Sequence, residues 1–433
     1  MKIGIIGSGH VGLVTGACFA DLGNEVICMD QDVQKIKVLR RGHIPFYEPQ
    51  LLELVRKNKR EGRLYFSTSI HETVRFAKVI FLCVGTPSRE NGEADLSAIE
   101  HVAHAIAQSL NGYRLIVEKS TVPVETGMQL YKTIKESNRK KIAFDVASNP
   151  EFLREGSAVQ DFFNPDRIVL GTEGARAKKL LIELYKPFKV PILVTDIRSA
   201  EMIKHASNSF LATKISFINL VSQMCEVVGA DIAKVSEGMG SDRRIGKAFL
   251  NAGIGYGGMC FPKDLQAFTK IAEKLNVNSN FLKSVQKINE IQKSKFVDKV
   301  RKALWNLKDK NLGVLGLAFK PDTDDMRFAP AIDILNQLAA EGAQLTAYDP
   351  RAIPAAKKIL KGIRFAKSAY EACRKADAAL ILTEWHEFRE LDLKRLKQLL
   401  KQPVIIDGRN MYDPIVMKNS GFRYYSVGRG AVL

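Results

Sequence analysis

The sequence predicts an α/β protein with two Rossmann-like, doubly wound parallel-sheet domains, joined by a long central helix and a helical middle domain. Short apolar runs alternate with helical patterns at the start of the chain, and the same alternation returns near its end. The stretch between the two is helical in pattern. Strands that alternate with helices in this way are typical of parallel sheets. We therefore expect three domains, over 1–197, 198–308 and 309–433.

The first strand runs directly into a glycine-rich turn. Residues 2–6 are apolar, GSGHVG follows at 7–12, and a helical pattern ends at Gly23 before a second strand that ends at Asp30. Glycines at this spacing allow a tight turn and a close approach to a pyrophosphate, and the acidic residue accepts hydrogen bonds from a ribose. The pattern predicts a dinucleotide site. Asp30 favours NAD, although the nearby Lys35 is a cation that can hold the 2′-phosphate of NADP.

Polar turn residues follow several later strands. These strands are predicted at 78–83, 114–118, 143–147, 166–171 and 192–195. Because the carboxyl ends of parallel strands carry the ligand contacts, Thr86, Thr121, Glu151 and Glu155 are expected to line a crevice for cofactor and substrate. Plain turn chemistry explains Thr86 equally well, whereas two carboxylates after one strand favour function.

A long helical pattern runs from Ser199, a candidate N-cap, to about Val228 without proline or internal glycine. Lys204 and Asn208 are four residues apart, so they share one face of this helix. On a mostly apolar helix they are candidates to stabilise an oxyanion or to act as a base. The alternative is a lysine at the solvated rim.

One cysteine, Cys260, lies two residues after the glycine-rich segment 253–258. Cys260 is followed by Pro262, Lys263 and Asp264. A thiol after such a segment can face a substrate, a neighbouring lysine favours the thiolate, and an aspartate can activate water. The alternative is a turn into a helix with an inert, buried Cys260.

The C-terminal part repeats the pattern of the N-terminal part. A strand enters the turn at 316–320, and a later strand ends at Asp349, but the full glycine motif is missing. This second βαβ domain is expected to bind a different nucleotide through Lys320 and Arg409. The polar loop 323–327 is a candidate to contact the cofactor.

Composition narrows the function classes. Hydrophobic residues make up 46% and charged residues 26%, and the net charge is +18. The basic runs lie in polar helix ends and loops and lack interleaved aromatic residues, so solvated surface charge is favoured over nucleic-acid binding. The positive field would also attract a phosphate-bearing small substrate. No apolar run is long enough to predict a membrane span, and the chain enters a strand at once, so we expect a cytoplasmic protein. Six scattered cysteines without a CxxC pair predict neither a disulfide framework nor a metal site.

Taken together, these motifs resemble those of the UDP-glucose/GDP-mannose dehydrogenase family. In chain order they are GSGHVG at 7–12, STVPV at 120–124, NPEFLREG at 149–156, Lys204 with Asn208, GYGGMCFPKD at 255–264 and GLAFKPDTDD at 316–325. They extend over nearly the whole chain. The residues around Cys260 look most like those of family members that act on UDP-glucose.

The resemblance implies an NAD-dependent, four-electron oxidation of UDP-glucose to UDP-glucuronate through a thiohemiacetal and a thioester on Cys260. It also implies a homodimer whose substrate site is completed by the neighbouring subunit. Two alternatives stay open. One is a dehydrogenase of another nucleotide sugar, of the UDP-N-acetylhexosamine or GDP-mannose type. The other is a binding protein for NAD or a nucleotide sugar without catalysis, which would not need the whole catalytic set.

The resemblance also assigns residues to roles. The implied catalytic residues are Cys260, Lys204, Asn208, Asp264, Thr121 and Glu151. The implied cofactor contacts are Gly7, Gly9, Val11, Gly12, Asp30, Lys35, Thr86, Thr121, Glu155 and Arg327. The implied substrate contacts are Glu151, Phe152, Leu153, Glu155, Lys204, Asn208, Arg244, Phe249, Tyr256, Gly257, Lys320 and Arg409. No metal is implied.

Several positions depart from the usual family pattern. The sequence has Leu220, Met259 and Phe328-Ala329 where the family often has glutamate, serine and Glu-Ser, and Glu125 where glycine is common. None of these positions removes an implied catalytic group. Met259 is bulkier than serine and is expected to reshape the pocket beside the thiol.

Overall fold

The computed structural model describes residues 1–431, which form two compact units. The first unit comprises Met1–Ser207 and Gln266–Leu275, and the second comprises the other described residues. Two helices, Ile197–Val228 and Cys260–Lys274, run from one unit into the other.

The first unit is built on an eight-stranded sheet. Its strands are β1 (Lys2–Ile6), β2 (Glu25–Met29), β3 (Leu64–Ser67), β4 (Val79–Leu82), β5 (Arg114–Glu118), β6 (Phe144–Ser148), β7 (Ile168–Thr172) and β8 (Ile192–Thr195). The order across the sheet is β3-β2-β1-β4-β5-β6-β7-β8. The central strands are almost continuously apolar because helices cover both faces.

The sheet confirms the predicted doubly wound architecture with two differences. The sequence analysis missed β3, a four-residue strand at the edge of the sheet in which only Tyr65 is exposed. It also expected parallel pairing throughout, whereas β7 pairs with β6 in the antiparallel direction. The connection from β6 to β7 contains only the short helix Ala158–Phe163. After this connection β7 runs in the direction opposite to β6.

Helices flank this sheet. They are α1 (His10–Asp21), α2 (Val33–Arg40), α3 (Leu51–Arg60), α4 (Ile70–Phe76), α5 (Ser97–Ser109), α6 (Thr126–Ser137), α7 (Ala158–Phe163) and α8 (Ala175–Tyr185). One apolar core forms around α1 and a second around α5 on separate sets of sheet residues.

The long helix α9 (Ile197–Val228) confirms the predicted central helix, but its start differs from the expectation. Ser199 lies inside the first turn and is not the N-cap. Asp196 accepts hydrogen bonds from the backbone N–H and the hydroxyl of Ser199, at 2.8 and 2.6 Å. An aspartate just before a helix satisfies its free N–H groups in this way.

The second unit combines helices with a six-stranded sheet. The helices that precede the sheet are α10 (Ile232–Gly240), α11 (Cys260–Lys274) and α12 (Asn280–Leu304). The strands are β9 (Asn311–Leu315), β10 (Gln344–Tyr348), β11 (Arg364–Phe365), β12 (Ala378–Ile381), β13 (Val404–Asp407) and β14 (Arg423–Ser426). All neighbours are parallel in the order β11-β10-β9-β12-β13-β14, as predicted for a second Rossmann-like sheet.

The remaining helices pack on this second sheet. They are α13 (Pro330–Ala340), α14 (Ile353–Ile359), α15 (Ala369–Cys373), α16 (His386–Arg389), α17 (Leu393–Leu399) and α18 (Pro414–Asn419). Helix α12 joins the same core through Phe296, Val297 and Val300. The core therefore ties the helical segment before residue 311 to the second sheet.

Candidate functional site

The turn between β1 and α1 has the geometry of a dinucleotide cradle. Gly7 has φ +98°, and a Cβ on Gly12 would lie 1.8 Å from the carbonyl oxygen of Gly7, so neither position tolerates a side chain. A Cβ on Gly9 would meet no atom within 4 Å, which leaves open space at the start of α1. No side chain caps α1 in the described structure, and its first turn holds no acidic residue. Its N–H groups are therefore available to an anion.

Asp30 lies beside this turn at the end of β2. One carboxylate oxygen accepts from the backbone N–H of Ser8 at 3.0 Å, and the other accepts from the N–H of Asp32. Lys35 pairs with Asp30 at 2.7 Å. The glycine turn and the start of α1 fit the diphosphate of a dinucleotide, and the Asp30 carboxylate fits its ribose.

Thr86 and Thr121 follow β4 and β5 and meet at the same edge of the sheet. The Thr86 hydroxyl donates to the carbonyl oxygen of Thr121 at 2.8 Å. Thr86 is buried, and Thr121 is half-buried. The structure thus brings together two loops that the sequence analysis placed at one crevice.

A buried ion pair joins the strand-end loop after β6 to α9. Lys204 Nζ lies 3.0 Å from Glu151 Oε1, and the two side chains are 5% and 6% exposed. The other Glu151 oxygen accepts from the N–H of Leu153 at 2.6 Å. Lys204 also lies 5.3 Å from the centre of the Phe152 ring. Four of the implied substrate contacts are therefore clustered.

A second buried lysine, Lys119, contacts the first residue of this loop, Asn149. Its ammonium donates to the side chain of Asn149 at 2.9 Å, and Asn149 in turn donates to the carbonyl oxygen of Val169 at 2.9 Å. Burial lowers the pKa of Lys119 to about 8. The neighbouring Glu118 is also buried, and burial raises its pKa to about 8. Sequence reasoning missed both residues; charged residues at the end of an apolar strand were the available signal.

Glu155 is half-buried in the turn before α7. The same turn is tied to the dinucleotide cradle through Glu48, whose carboxylate accepts from the N–H groups of Gly156 and Ala158 at 2.8 Å each. Glu48 also pairs with His10 at 2.7 Å. Sequence reasoning missed this connection because His10 and Glu48 lie 38 residues apart.

In the second unit, Cys260 is the first residue of α11 and is exposed, so the alternative of a buried thiol was wrong. The other five cysteines are buried, and burial raises the pKa of each of their thiols; these cysteines are Cys18, Cys28, Cys83, Cys225 and Cys373. The N-terminus of a helix stabilises a thiolate. Cys260 is therefore the cysteine best placed to react.

Asp264 lies one turn after Cys260 on the same helix and is 1% exposed. Lys263 pairs with one of its oxygens at 2.7 Å, and Asn208 donates to the other at 2.6 Å. The structure thus joins Asn208 of α9 to the segment that follows the thiol. A buried carboxylate held between a cation and an amide is suited to orient a water.

Aromatic side chains pack beside the thiol. The Phe261 ring lies 6.0 Å from the rings of both Phe249 and Tyr256. The backbone of Tyr256 is bonded to Asn289 of α12, with N–H to Oδ1 at 2.8 Å and Nδ2 to the carbonyl oxygen at 3.1 Å. Asn289 was not predicted, since an asparagine within a helical pattern reads as a surface residue.

The turn after β9 differs from the first cradle. Asp349 Oδ2 accepts from the N–H groups of Leu317 and Ala318, at 2.8 and 3.1 Å. Lys320, the expected nucleotide contact, is half-buried at the end of this turn. In this turn the N–H groups of Leu317 and Ala318 are hydrogen-bonded to a carboxylate and are not open to a phosphate. Side chains are therefore expected to make the ligand contacts here.

Arg409 follows β13, and its guanidinium is directed at backbone carbonyls. It donates to the carbonyl oxygens of Leu382, Gly255 and Phe319, at 2.8, 3.2 and 3.1 Å. This arginine therefore links the glycine segment before Cys260 to the turn that carries Lys320. The two implied substrate contacts in that segment, Tyr256 and Gly257, are both buried.

Two implied contacts lie on the surface. The Arg244 side chain is 89% exposed and pairs with Asp242. Arg327 pairs with Asp325, and its Nη1 lies 2.7 Å from Met259 Sδ. The bulky residue that replaces serine beside the thiol is thus in contact with an implied cofactor ligand.

Among residues 1–431, no group of three metal-ligating side chains is found, and no helix has the length and apolarity to cross a membrane.

Three family models of the UDP-glucose/GDP-mannose dehydrogenase family match the sequence. The NAD binding domain matches residues 1–189, the central domain 198–291 and the UDP binding domain 313–414.

Curated relatives match over nearly their full length. The chain is 48% identical to UDP-glucose 6-dehydrogenase TuaD of Bacillus subtilis, over 100% of this chain and 94% of that protein. It is 45% identical to UDP-glucose 6-dehydrogenase of Rhizobium meliloti, over 99% of this chain and 100% of that protein.

Solved structures show the same fold. A UDP-glucose dehydrogenase from Pyrobaculum islandicum superposes with a TM-score of 0.92 at 36% identity, covering 99% of this chain and 98% of that one. A UDP-D-ManNAc dehydrogenase from Pyrococcus horikoshii superposes with a TM-score of 0.87 at 26% identity, with full coverage of both chains, 100% each.

Proposed function

The chain belongs to the UDP-glucose/GDP-mannose dehydrogenase family, and we propose that it oxidises the C6 alcohol of UDP-glucose to the carboxylate of UDP-glucuronate. The observation that carries the proposal is Cys260. It is exposed at the start of α11 while the other five cysteines are buried, and Asp264, paired with Lys263 and Asn208, lies one turn further on. A dehydrogenase that stops at the aldehyde needs no such thiol.

NAD is the cofactor, and the described residues fit it. We propose that Gly7, Gly9, Val11 and Gly12 hold its diphosphate at the start of α1, and that Asp30 and Lys35 hold the adenosine ribose. Thr86, Thr121, Glu155 and Arg327 are the further proposed contacts. When bound, NAD supplies the hydride acceptor for each two-electron oxidation.

In the first oxidation the C6 hydroxyl must lose its proton. Lys204 is the proposed base: its neutral amine would accept this proton, and Glu151 Oε1, 3.0 Å from Nζ, holds the side chain in place and pairs with the ammonium that forms. In the next step Sγ of Cys260 adds to the aldehyde carbon, and the thiol proton ends on the aldehyde oxygen. Asn208 and Lys204 stabilise the developing negative charge on that oxygen.

The second oxidation leaves a thioester, which water hydrolyses to the acid and the free thiol. Asp264, Thr121 and Glu151 are the proposed groups that hold and activate this water. Asp264 is suited to the role because both of its oxygens are already oriented, by Lys263 and Asn208.

The UDP-sugar is proposed to contact the C-terminal part of the chain. Lys320 and Arg409 are the charged groups there, with Phe249, Tyr256 and Gly257 lining the sugar and Phe152, Leu153 and Glu155 as further contacts. We assign NAD binding to 1–197, the helical and thiol-bearing part to 198–308 and nucleotide-sugar binding to 309–433.

A homodimer is part of the proposal, with Arg244 reaching the neighbouring subunit's substrate. The described chain leaves apolar side chains exposed along α9 at a spacing of seven residues, with Phe210 at 64%, Phe217 at 47% and Met224 at 56%. Seven-residue spacing keeps them on one stripe of the helix, and such a stripe is stabilised by burial against a partner helix. The cytoplasmic location expected from the sequence stays a prediction.

Another nucleotide sugar is the second candidate. The chain is 26% identical to the UDP-D-ManNAc dehydrogenase from Pyrococcus horikoshii over its whole length, and Met259 and Phe328 depart from the common pattern near the thiol. The higher identity to relatives named for UDP-glucose favours UDP-glucose.

The decisive experiment counts NADH per sugar consumed when the purified protein is given UDP-glucose and NAD. We expect two NADH per sugar, with turnover abolished in Cys260→Ala. Cys225→Ala, which removes a buried thiol, is the matched control and is expected to retain turnover. Turnover only with another sugar from a panel that includes UDP-N-acetylhexosamines and GDP-mannose would move the substrate. NAD binding without any turnover would overturn the proposal and favour a binding protein.

A further inference from the structure

We propose that Asn289 is a positioning residue that fixes the glycine segment 253–258 and thereby places Cys260 at the first turn of α11. The inference rests on the role proposed for Cys260. Asn289 lies on α12 and is 4% exposed, although the sequence pattern gives it no reason to be buried.

The amide of Asn289 pairs with both backbone groups of one residue. Its Oδ1 accepts from the N–H of Tyr256 at 2.8 Å, and its Nδ2 donates to the carbonyl oxygen of Tyr256 at 3.1 Å. This is the pairing that a neighbouring strand would otherwise provide. Buried backbone groups need partners, and here a single side chain serves two of them.

Two further amides hold the start of the segment. Gln292, three residues after Asn289, donates to the carbonyl oxygen of Gly253 at 2.8 Å, and Asn219 accepts from the N–H of Gly253 at 2.9 Å. Gln292 is 3% exposed and Asn219 is 0% exposed. The segment is therefore fixed by buried side chains of α9 and α12.

The segment depends on these contacts because its own backbone is permissive. Residues 251–259, which include this segment, form neither helix nor strand, and Gly255 has φ +99°. A Cβ on Gly255 would lie 2.6 Å from Asn289 Oδ1, so helix and segment are in direct contact. Glycine-rich backbone loses more entropy on ordering than other backbone does.

The effect of Asn289 reaches the thiol through aromatic packing. The Tyr256 ring packs edge to face on Phe261 at 6.0 Å, and Phe261 directly follows Cys260. Tyr256 is 8% exposed, so its ring has little freedom to move independently of its backbone. Asn289 itself touches none of the reacting atoms.

The test measures thiol reactivity without substrate. Native protein is treated with iodoacetamide at pH 7, and alkylation of Cys260 is followed by peptide mass spectrometry, with the five buried cysteines as internal references. Asn289→Ala leaves two buried backbone groups unpaired. We expect Cys260 alkylation to slow by about tenfold and kcat to fall by a similar factor, as the loss of two hydrogen bonds suggests.

Gln286→Ala is the matched control, because Gln286 is an exposed amide on the same helix. It is expected to keep the wild-type alkylation rate and kcat. Thermal melting establishes that each variant folds. If Asn289→Ala does not fold, Gln292→Ala decides the question, with a smaller slowing expected. This variant removes one contact with the segment, the bond to Gly253, together with a bond from Gln223 of α9.

Alkylation of Cys260 at or above the wild-type rate in a folded Asn289→Ala protein would overturn the inference, whatever its activity. Failure of the proposed function looks different, because the wild-type protein itself would then lack turnover of UDP-glucose while its alkylation rate still responds to Asn289.

Discussion

The buried pair of Lys204 and Glu151 makes a quantitative prediction that needs no substrate. The atoms are 3.0 Å apart, and the side chains are only 5% and 6% exposed. Lys204→Met replaces the lysine with an uncharged side chain of similar volume and leaves the Glu151 carboxylate buried without its cation. Removing one partner of a buried ion pair costs about 3–5 kcal/mol of unfolding free energy, because the other charge stays uncompensated.

Glu151→Gln is expected to be costly for the same reason, since it leaves the ammonium without its carboxylate. The double variant Lys204→Met/Glu151→Gln removes both charges. We expect it to be less destabilised than the sum of the two single variants by roughly 2–3 kcal/mol, which is the coupling energy of the pair.

Urea unfolding followed by circular dichroism measures these free energies. The two tryptophans, Trp305 and Trp385, both lie in the second unit, so their fluorescence records that unit separately. The control is the pair of Lys57 and Asp21, whose lysine is 47% exposed. Lys57→Met is expected to cost under about 1 kcal/mol, as exposed ion pairs do.

Additive effects in the double variant, within about 0.5 kcal/mol, would refute the reasoning, because they would mean that the two charges do not depend on each other. A Lys204→Met variant as stable as Lys57→Met would do the same.

Two further predictions concern charge burial and assembly. Burial raises the pKa of Glu118 to about 8, so between its ordinary pKa and pH 8 the folded state keeps a proton that the unfolded state has lost, and stability falls as pH rises. Glu118→Gln retains an acceptor for the N–H of Ser120 but has no carboxyl proton to lose. We expect this variant to reduce the fall in stability with pH and to have an unfolding free energy at pH 8 that is higher by on the order of 1–3 kcal/mol. Urea midpoints from pH 5 to 8 measure the effect, and an unchanged dependence on pH would contradict it. Phe217→Asp on α9 is expected to yield a monomer in analytical ultracentrifugation, whereas Ile415→Asp, at a position 70% exposed on α18, is expected to stay dimeric; a dimer in both would count against the α9 interface.

The sequence was sufficient for features set by local pattern. The alternation of apolar runs with helical patterns predicted both sheets, and the glycines of 7–12 with Asp30 predicted the dinucleotide cradle. Such features can be predicted from the sequence because they depend on residues that are close together in the chain. This holds for the periods of strands and helices and for turns in which only glycine fits. The exposed position of Cys260 was one of two readings that the sequence left open.

The tertiary structure decided which polar residues are buried and what they touch. Lys119 meets Asn149 across 30 residues, Lys204 meets Glu151 across 53, and Asn289 meets Tyr256 across 33. A lysine or asparagine in a helical or strand pattern reads as a surface residue until packing encloses it. Once it is enclosed, the cost of an unpaired polar group selects its partner, and that partner is set by the three-dimensional fold and not by spacing in the sequence.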